Sequence, residues 1–172
     1  MNSSATAAYR TLLFVIAICV IAPAASYGQM ANTQRPNKYV PWVSWETAMD
    51  QAPNSRRPVM VLFNGSDWNT EAREFTMSIL ATHEFAGWSS RNVIKVEIDF
   101  PRFREMDPQL KQLNEQLRAR YQDHVNSVPT ILFLDEFGNV MGKLEYQQGS
   151  PDQWIKRARE VMRSIRLPDL VA

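Results

Sequence analysis

Apolar residues recur in two kinds of block, and the alternation between them predicts an α/β protein. Val59-Met60-Val61-Leu62-Phe63 is a continuous run, which predicts a strand covered on both faces. Gly65 permits a turn directly after it. Ala72, Phe75, Ile79 and Leu80 then fall at helical spacing, predicting a helix from Asn69 or Thr70 to Leu80. Thr82 stands where it would cap a second short helical piece carrying Phe85 and Trp88. From Asn92 to Phe100 the period becomes two. Ile94, Val96, Ile98 and Phe100 share one side and Lys95, Glu97 and Asp99 the other, which predicts a half-buried strand stopped by Pro101.

The flanks carry the same grammar. Ser44 would cap a short helix from Trp45 to Gln51, ended by Pro53, and Tyr39 to Val43 is the only candidate for a preceding edge strand. The stretch 54–58 is a loop. After a charged loop from Pro101 to Pro108, Leu110, Leu113, Leu117 and Tyr121 mark one face of a helix. Thr130 to Leu134 is the next strand, Asp135 to Asn139 a hairpin turn around Gly138, and Val140 to Tyr146 the returning strand, weakened at Gly142. Pro151 suits the first turn of a last helix. That helix gathers Trp154, Ile155, Ala158, Val161, Met162 and Ile165 on one face, with Lys156, Arg157, Arg159, Arg163 and Arg166 largely on the other. The basic face reads as solvated or, alternatively, as a docking surface. Trp42 and Trp45 carry a similar pair of readings, core packing or an exposed binding surface.

The N-terminal segment reads differently. Arg10 precedes a run of about 12 apolar residues and then the small residues of Pro23 to Gly28. This predicts a signal peptide over 1–28, cleaved near Ala25 or Gly28, and a secreted or periplasmic protein. A retained anchor is the alternative, but the run is short against the roughly 20 residues a spanning helix needs. Residues 29–41, polar with two prolines, read as a flexible linker, 42–167 as the domain and 168–172 as a tail. Cys19 is the one cysteine in 172 residues and lies inside the leader. The bulky Ile18 before it argues against lipidation. Cleavage would leave no thiol in a compartment where disulfides form.

Composition adds little beyond this. Hydrophobic residues make up 45% of the chain, enough for a packed core. With Arg10 set aside, 19 basic side chains become 18 against 18 acidic. That balance gives no support for a nucleic-acid or polyanion binder.

Two motifs carry a family likeness. Gly65-Ser66-Asp67-Trp68 at the end of a strand and the head of a helix, and Val128-Pro129-Thr130 before a later strand, resemble the thioredoxin superfamily, in particular secreted bacterial thioredoxin-like proteins. Asp99-Phe100-Pro101 is similar to a strand end in the same relatives. The resemblance covers roughly Trp42 to Ile165. It implies a thioredoxin-like fold, a central mixed β-sheet flanked by helices, with a cis peptide bond before Pro129. It also implies that Asn69 and Ala72 occupy the positions of the family's Cys-x-x-Cys, over Asn69-Thr70-Glu71-Ala72. Many thioredoxins keep a buried carboxylate on the central strand, at the position that Phe63 fills here.

The chemistry expected of such a chain is limited. Disulfide exchange needs an attacking thiolate and a resolving thiol. An amide at the helix start supplies neither, although Asn is among the best residues to cap a helix. No dithiol oxidoreductase activity and no cofactor are expected. Asp67, Glu71 and Glu74, with His83 or His124, form a weak candidate metal set whose spacing fits no known type, and the dipole favours glutamate in a first helical turn anyway. Ser66 or Thr70 as a nucleophile would need a base, and His83 is the only candidate in that half of the chain. Binding is the function the resemblance leaves. In redox-active relatives the residue before the cis proline pairs with an extended substrate segment, much as in strand addition. Trp68, Asn69, Thr70, Val128, Pro129 and Thr130 are the corresponding groove residues here. The expected partner is an extended segment of a secreted protein. The alternatives are an assembly subunit docking through the last helix or Trp42 and Trp45, and a member of a thiol–disulfide exchange pathway without redox chemistry of its own.

Overall fold

The computed structural model describes the backbone of residues 41–166 and the side chains of residues 41–163. The leader with Cys19, nearly all of the linker, Tyr39 and Val40 of the candidate edge strand, the tail, and the side chains of Ile165 and Arg166 lie outside the described residues. In chain order the elements are α1 (Trp45–Ser55), β1 (Val59–Asn64), α2 (Thr70–Phe75) continued by a π-helical turn (Thr76–Leu80), α3 (His83–Asn92), β2 (Ile94–Asp99), α4 (Pro108–Arg120), β3 (Thr130–Leu134), β4 (Val140–Glu145) and α5 (Pro151–Arg166).

The four strands form one mixed sheet in the order β2-β1-β3-β4. β1 runs parallel to β2 from Val59 beside Ile94 to Asn64 beside Asp99, and antiparallel to β3. Outside β2, Val43 makes a single parallel bridge to Val96, its N–H donating to the Lys95 carbonyl at 2.9 Å.

Every residue of β1 is buried, because the sheet is covered on both faces. Met60 and Leu62, with Ile131 and Phe133, pack under the side of α2, α3 and α5. Trp154 of α5 is central there, its ring centroid 5.5 Å from those of Phe85 and Trp88 and 5.8 Å from that of Phe75. Val59, Val61 and Phe63, with the apolar side of β2, pack under α1 and α4 through Ala48, Ala52, Leu117 and Tyr121. Alternation by two thus feeds two half-cores from one strand. Trp42 and Trp45 are half-buried against one half-core each, which fits their packing reading.

Four expectations need correction. Pro53 does not end α1, which continues to Ser55. A proline forfeits one backbone bond, and the buried Ala48 and Ala52 hold the helix on the sheet regardless. Arg56 then ends it in the left-handed region, at φ 53°. The helix after β1 is not uniformly α-helical. The Thr76 and Ser78 hydroxyls donate back to the carbonyls of Ala72 and Glu74, competing with the backbone ladder where it widens to a π turn. Leu110 is 47% exposed, and the buried residue of that part of α4 is Asn114. Finally, β2 is not half-buried. Its alternation is real, but Lys95 and Asp99 on the polar side are 5% and 6% exposed. Lys95 lies under the rings of Trp42 and Phe85, with its ammonium 5.5 Å and 5.8 Å from their centroids, and burial pushes it below the usual lysine range.

The β3–β4 turn is tied to α4 by Tyr121, whose hydroxyl donates to the Gly138 carbonyl at 2.8 Å. Gly138 itself sits at φ 81°, where glycine is favoured. Tyr121→Phe should therefore lower stability by about 1 kcal/mol. The urea midpoint should fall with an unchanged slope.

Candidate functional site

β1 and β2 end side by side, and the segments leaving them build the site. After Asn64 the chain turns tightly, with the N–H groups of Trp68 and Asn69 both donating to the Gly65 carbonyl. Gly65 is required by contact rather than by φ: a Cβ there would lie 2.7 Å from Cε2 of Trp68. The Trp68 indole N–H donates to the Phe100 carbonyl at 2.7 Å, and the Arg102 guanidinium lies 3.6 Å from the indole centroid. Trp68 is thereby fixed as a wall.

Asn69 does two things with one amide. Its Oδ1 accepts from the Ala72 N–H at 2.9 Å and caps α2. Its Nδ2 donates at 2.9 Å to the carbonyl of Val128, the residue before the cis Val128–Pro129 bond. Ala72 is 1% exposed. The two positions the family gives to cysteines thus hold a tether and a core methyl.

Beneath the turn lies a polar network. Asn64 donates to Glu97 at 2.7 Å and accepts from the Gly65 N–H. The Asp99 carboxylate accepts from the Ser66 N–H at 2.9 Å and the Ser66 hydroxyl at 2.7 Å, and pairs with Arg104. Asn114 of α4 donates to the Asp99 carbonyl at 2.9 Å. Glu97 keeps one side in solvent, yet desolvation, followed by the nearby Asp99, pushes its carboxyl up against the Asn64 bond. Asp67 faces the other way and clasps the loop after β2, accepting from the N–H groups of Arg102, Phe103 and Arg104 at 2.9, 2.8 and 3.1 Å. Desolvation would raise its carboxyl, but these three donors outweigh that and hold it below the usual carboxylate range.

Of the six residues proposed for a groove, the structure brings Trp68 and Val128 to its walls. With Phe100, Arg102, Val125 and Ser127 they line a cavity of about 430 Å³. Asn69 ties the two sides together, and Thr70 is exposed on the first turn of α2. Pro129 and Thr130 are buried beneath, the Thr130 hydroxyl donating to the Ser127 carbonyl at 2.7 Å. Phe63 is buried against the Tyr121 ring at 6.1 Å.

Two of the candidate metal carboxylates are engaged elsewhere. The Asp67 carboxylate is taken up by the loop, and Glu74 accepts from Gln148 at 3.0 Å. Among the described residues no group of three His, Cys, Asp or Glu side chains could hold a metal ion. The oxygen beside the Ser66 hydroxyl is that of Asp99, and Thr70 accepts from Arg73.

Sequence reasoning missed Asp99 and Arg104. The available signal was register: two six-residue strands in parallel, one ending Asn-Gly-Ser and the other Asp-Phe-Pro, bring Ser66 beside Asp99.

Asn69→Ala should cost about 1–3 kcal/mol, the sum of a lost cap and a lost tether. Asn69→Ser should recover the cap portion alone, as read by urea unfolding. The clasp at Asp67 gives a pH dependence. Its folded pKa lies below the ordinary 3.8, so its stabilisation is present above that value and lost as pH falls through the folded pKa. Amide protection at Arg102, Phe103 and Arg104 should drop selectively on acidification below about pH 3.8, and in Asp67→Ala already at neutral pH.

Comparison with known proteins agrees with this architecture. The thioredoxin-like domain family matches residues 45–161. The disulfide bond reductase DsbH of Chlamydia pneumoniae is 24% identical over 154 residues, 88% of this chain and 91% of that protein. The thioredoxin-related protein DsbJ of the same organism is 22% identical over 155 residues, 81% of this chain but only 44% of that protein. The solved structure of a DsbH oxidoreductase shares the fold, with a TM-score of 0.69 at 23% identity over 73% of this chain and 85% of its own. The chain belongs to the family of thioredoxin-like domains, as a member whose single cysteine, Cys19, lies outside the matched residues and which therefore has no Cys-x-x-Cys motif.

Proposed function

We propose that this chain is an exported, redox-inactive thioredoxin-fold protein that holds an extended segment of another exported protein in the groove between Trp68 and residues 125–128. The observation that carries the reading is a formed groove with an inert group at its head. Trp68 and Val128 line it, and the residue between them is an amide whose polar atoms already serve the fold. A carbonyl accepts two hydrogen bonds, so the Asn69 tether does not exhaust Val128 as an edge for a bound strand. Export rests on the pattern of the first 28 residues. Similarity to proteins named as a disulfide bond reductase and a thioredoxin-related protein supports a role alongside thiol–disulfide exchange, and the lack of a Cys-x-x-Cys motif supports a role without dithiol chemistry of its own.

A second reading has one observation behind it. Arg159 and Arg163 of α5 line a cavity of about 500 Å³ with Arg56 and Arg57 at the end of α1, beyond the opposite end of β1. Asp135 and Glu136 line the same cavity, so this candidate assembly surface is of mixed charge with an excess of arginine.

Site-specific photocrosslinking separates the two. Probes belong at Ser127, exposed on the groove, and at Lys156, exposed on α5. Position 69 is unsuitable because its side chain is structural. One defined exported protein should be trapped at 127 and not at 156, and lost in a folded Trp68→Ala variant. Adducts at 156 alone would move the function to α5. Insulin reduction should show no turnover above a no-protein control, and turnover in Cys19→Ser would sink the redox-inactive reading.

A further inference from the structure

The groove has a charge signature as well as a shape. Besides its apolar wall it is lined by Arg102, Lys111 and Arg118, against one carboxylate, Glu115. The whole chain carries a formal charge of only +1, so this concentration is local. The described ion pairs, Arg104–Asp99 and Lys143–Glu145, involve none of the three cations.

Two of them lie beside aromatic rings, and Arg102 is held in place by the fold. The backbone of Arg102 is clasped by Asp67, and its guanidinium lies 3.6 Å from the Trp68 ring centroid. Arg118 lies 5.3 Å from the Phe100 centroid. A guanidinium stacked on a ring keeps its in-plane donors for a carboxylate, and little side-chain freedom remains to be lost when it binds one. Lys111 stands on the same helix as Arg118, seven residues earlier and so two turns away along one face.

We infer that the groove selects extended segments rich in acidic side chains, whose carboxylates meet Arg102, Arg118 and Lys111. This rests on the binding reading above and names the class of segment it takes. Glu115 is the one opposing group on the groove and lowers the selectivity.

The test uses three fluorescent decapeptides of alternating apolar and polar residues, with Glu, Gln or Lys at the polar positions. Binding to the full chain is read by anisotropy at low and at physiological salt. The Glu peptide should bind at least about tenfold tighter than the Gln peptide at low salt, and the gap should narrow with salt. Arg118→Gln and Lys111→Gln, both at exposed positions, should each weaken the Glu peptide by about two- to fivefold and leave the Gln peptide unchanged. Glu115→Gln should strengthen it. Equal binding of the Glu and Gln peptides would overturn the acidic selectivity while leaving the groove as a binding site. Preference for the Lys peptide would overturn the selectivity too. Binding of none of the three would overturn the binding reading and this inference together.

Discussion

Burial of β1 on both faces constrains everything else in this molecule. A strand with no solvent side needs apolar residues at every position, and Val59 to Phe63 supplies them. It also needs cover above and below, which α2, α3 and α5 give on one face and α1 and α4 on the other. The parallel register with β2 then makes both strands stop at the same level, Asn64 beside Asp99. The two segments leaving the sheet there cannot avoid each other. One carries Ser66, Asp67 and Trp68, the other Phe100, Arg102 and Arg104, and the hydrogen bonds between them are the floor and one wall of the groove.

The hydrogen-bonding of that junction shows how a thioredoxin-like fold is held together at this point without a cysteine. A helix start presents free N–H groups that need an acceptor. Asn69 provides one and uses its remaining donor on the cis-proline loop. Ala72 fills core space. Each position has a structural role: Asn69 caps and tethers, and Ala72 packs in the core. On the central strand Phe63 belongs to the apolar half-core, and the buried carboxylate nearby is that of Asp99 at the end of β2, paired with Arg104 of the following loop.

How much of this was legible in the sequence follows from which interactions are local. Period and punctuation are local, so β1, the β3–β4 hairpin and the apolar stripe of α5 could be read directly. The caps at Ser44, Asn69 and Thr82 were equally readable, because each side chain accepts from an N–H three residues on. What failed was tertiary. The polar side of β2 looked solvent-facing because period two does not reveal what covers it, and Trp42 and Phe85 over Lys95 come from distant segments. Pro53 looked terminal because packing of Ala48 and Ala52 is invisible to local rules. At the site, Trp68 and Val128 were found through the family motif, whereas Arg102 and Arg118 were not, since their place depends on stacking over rings 34 and 18 residues away in sequence.

The amide at position 69 also sets a clock. In a groove with a thiolate, a captured partner can be held covalently and let go by a second chemical step. With an amide there, release is dissociation alone. At an ordinary association rate near 10⁶ M⁻¹s⁻¹, an occupant bound at about 1 μM would leave in about a second. Under the proposed binding role, such a protein could not trap a partner, and its occupancy at any moment would follow that partner's local concentration.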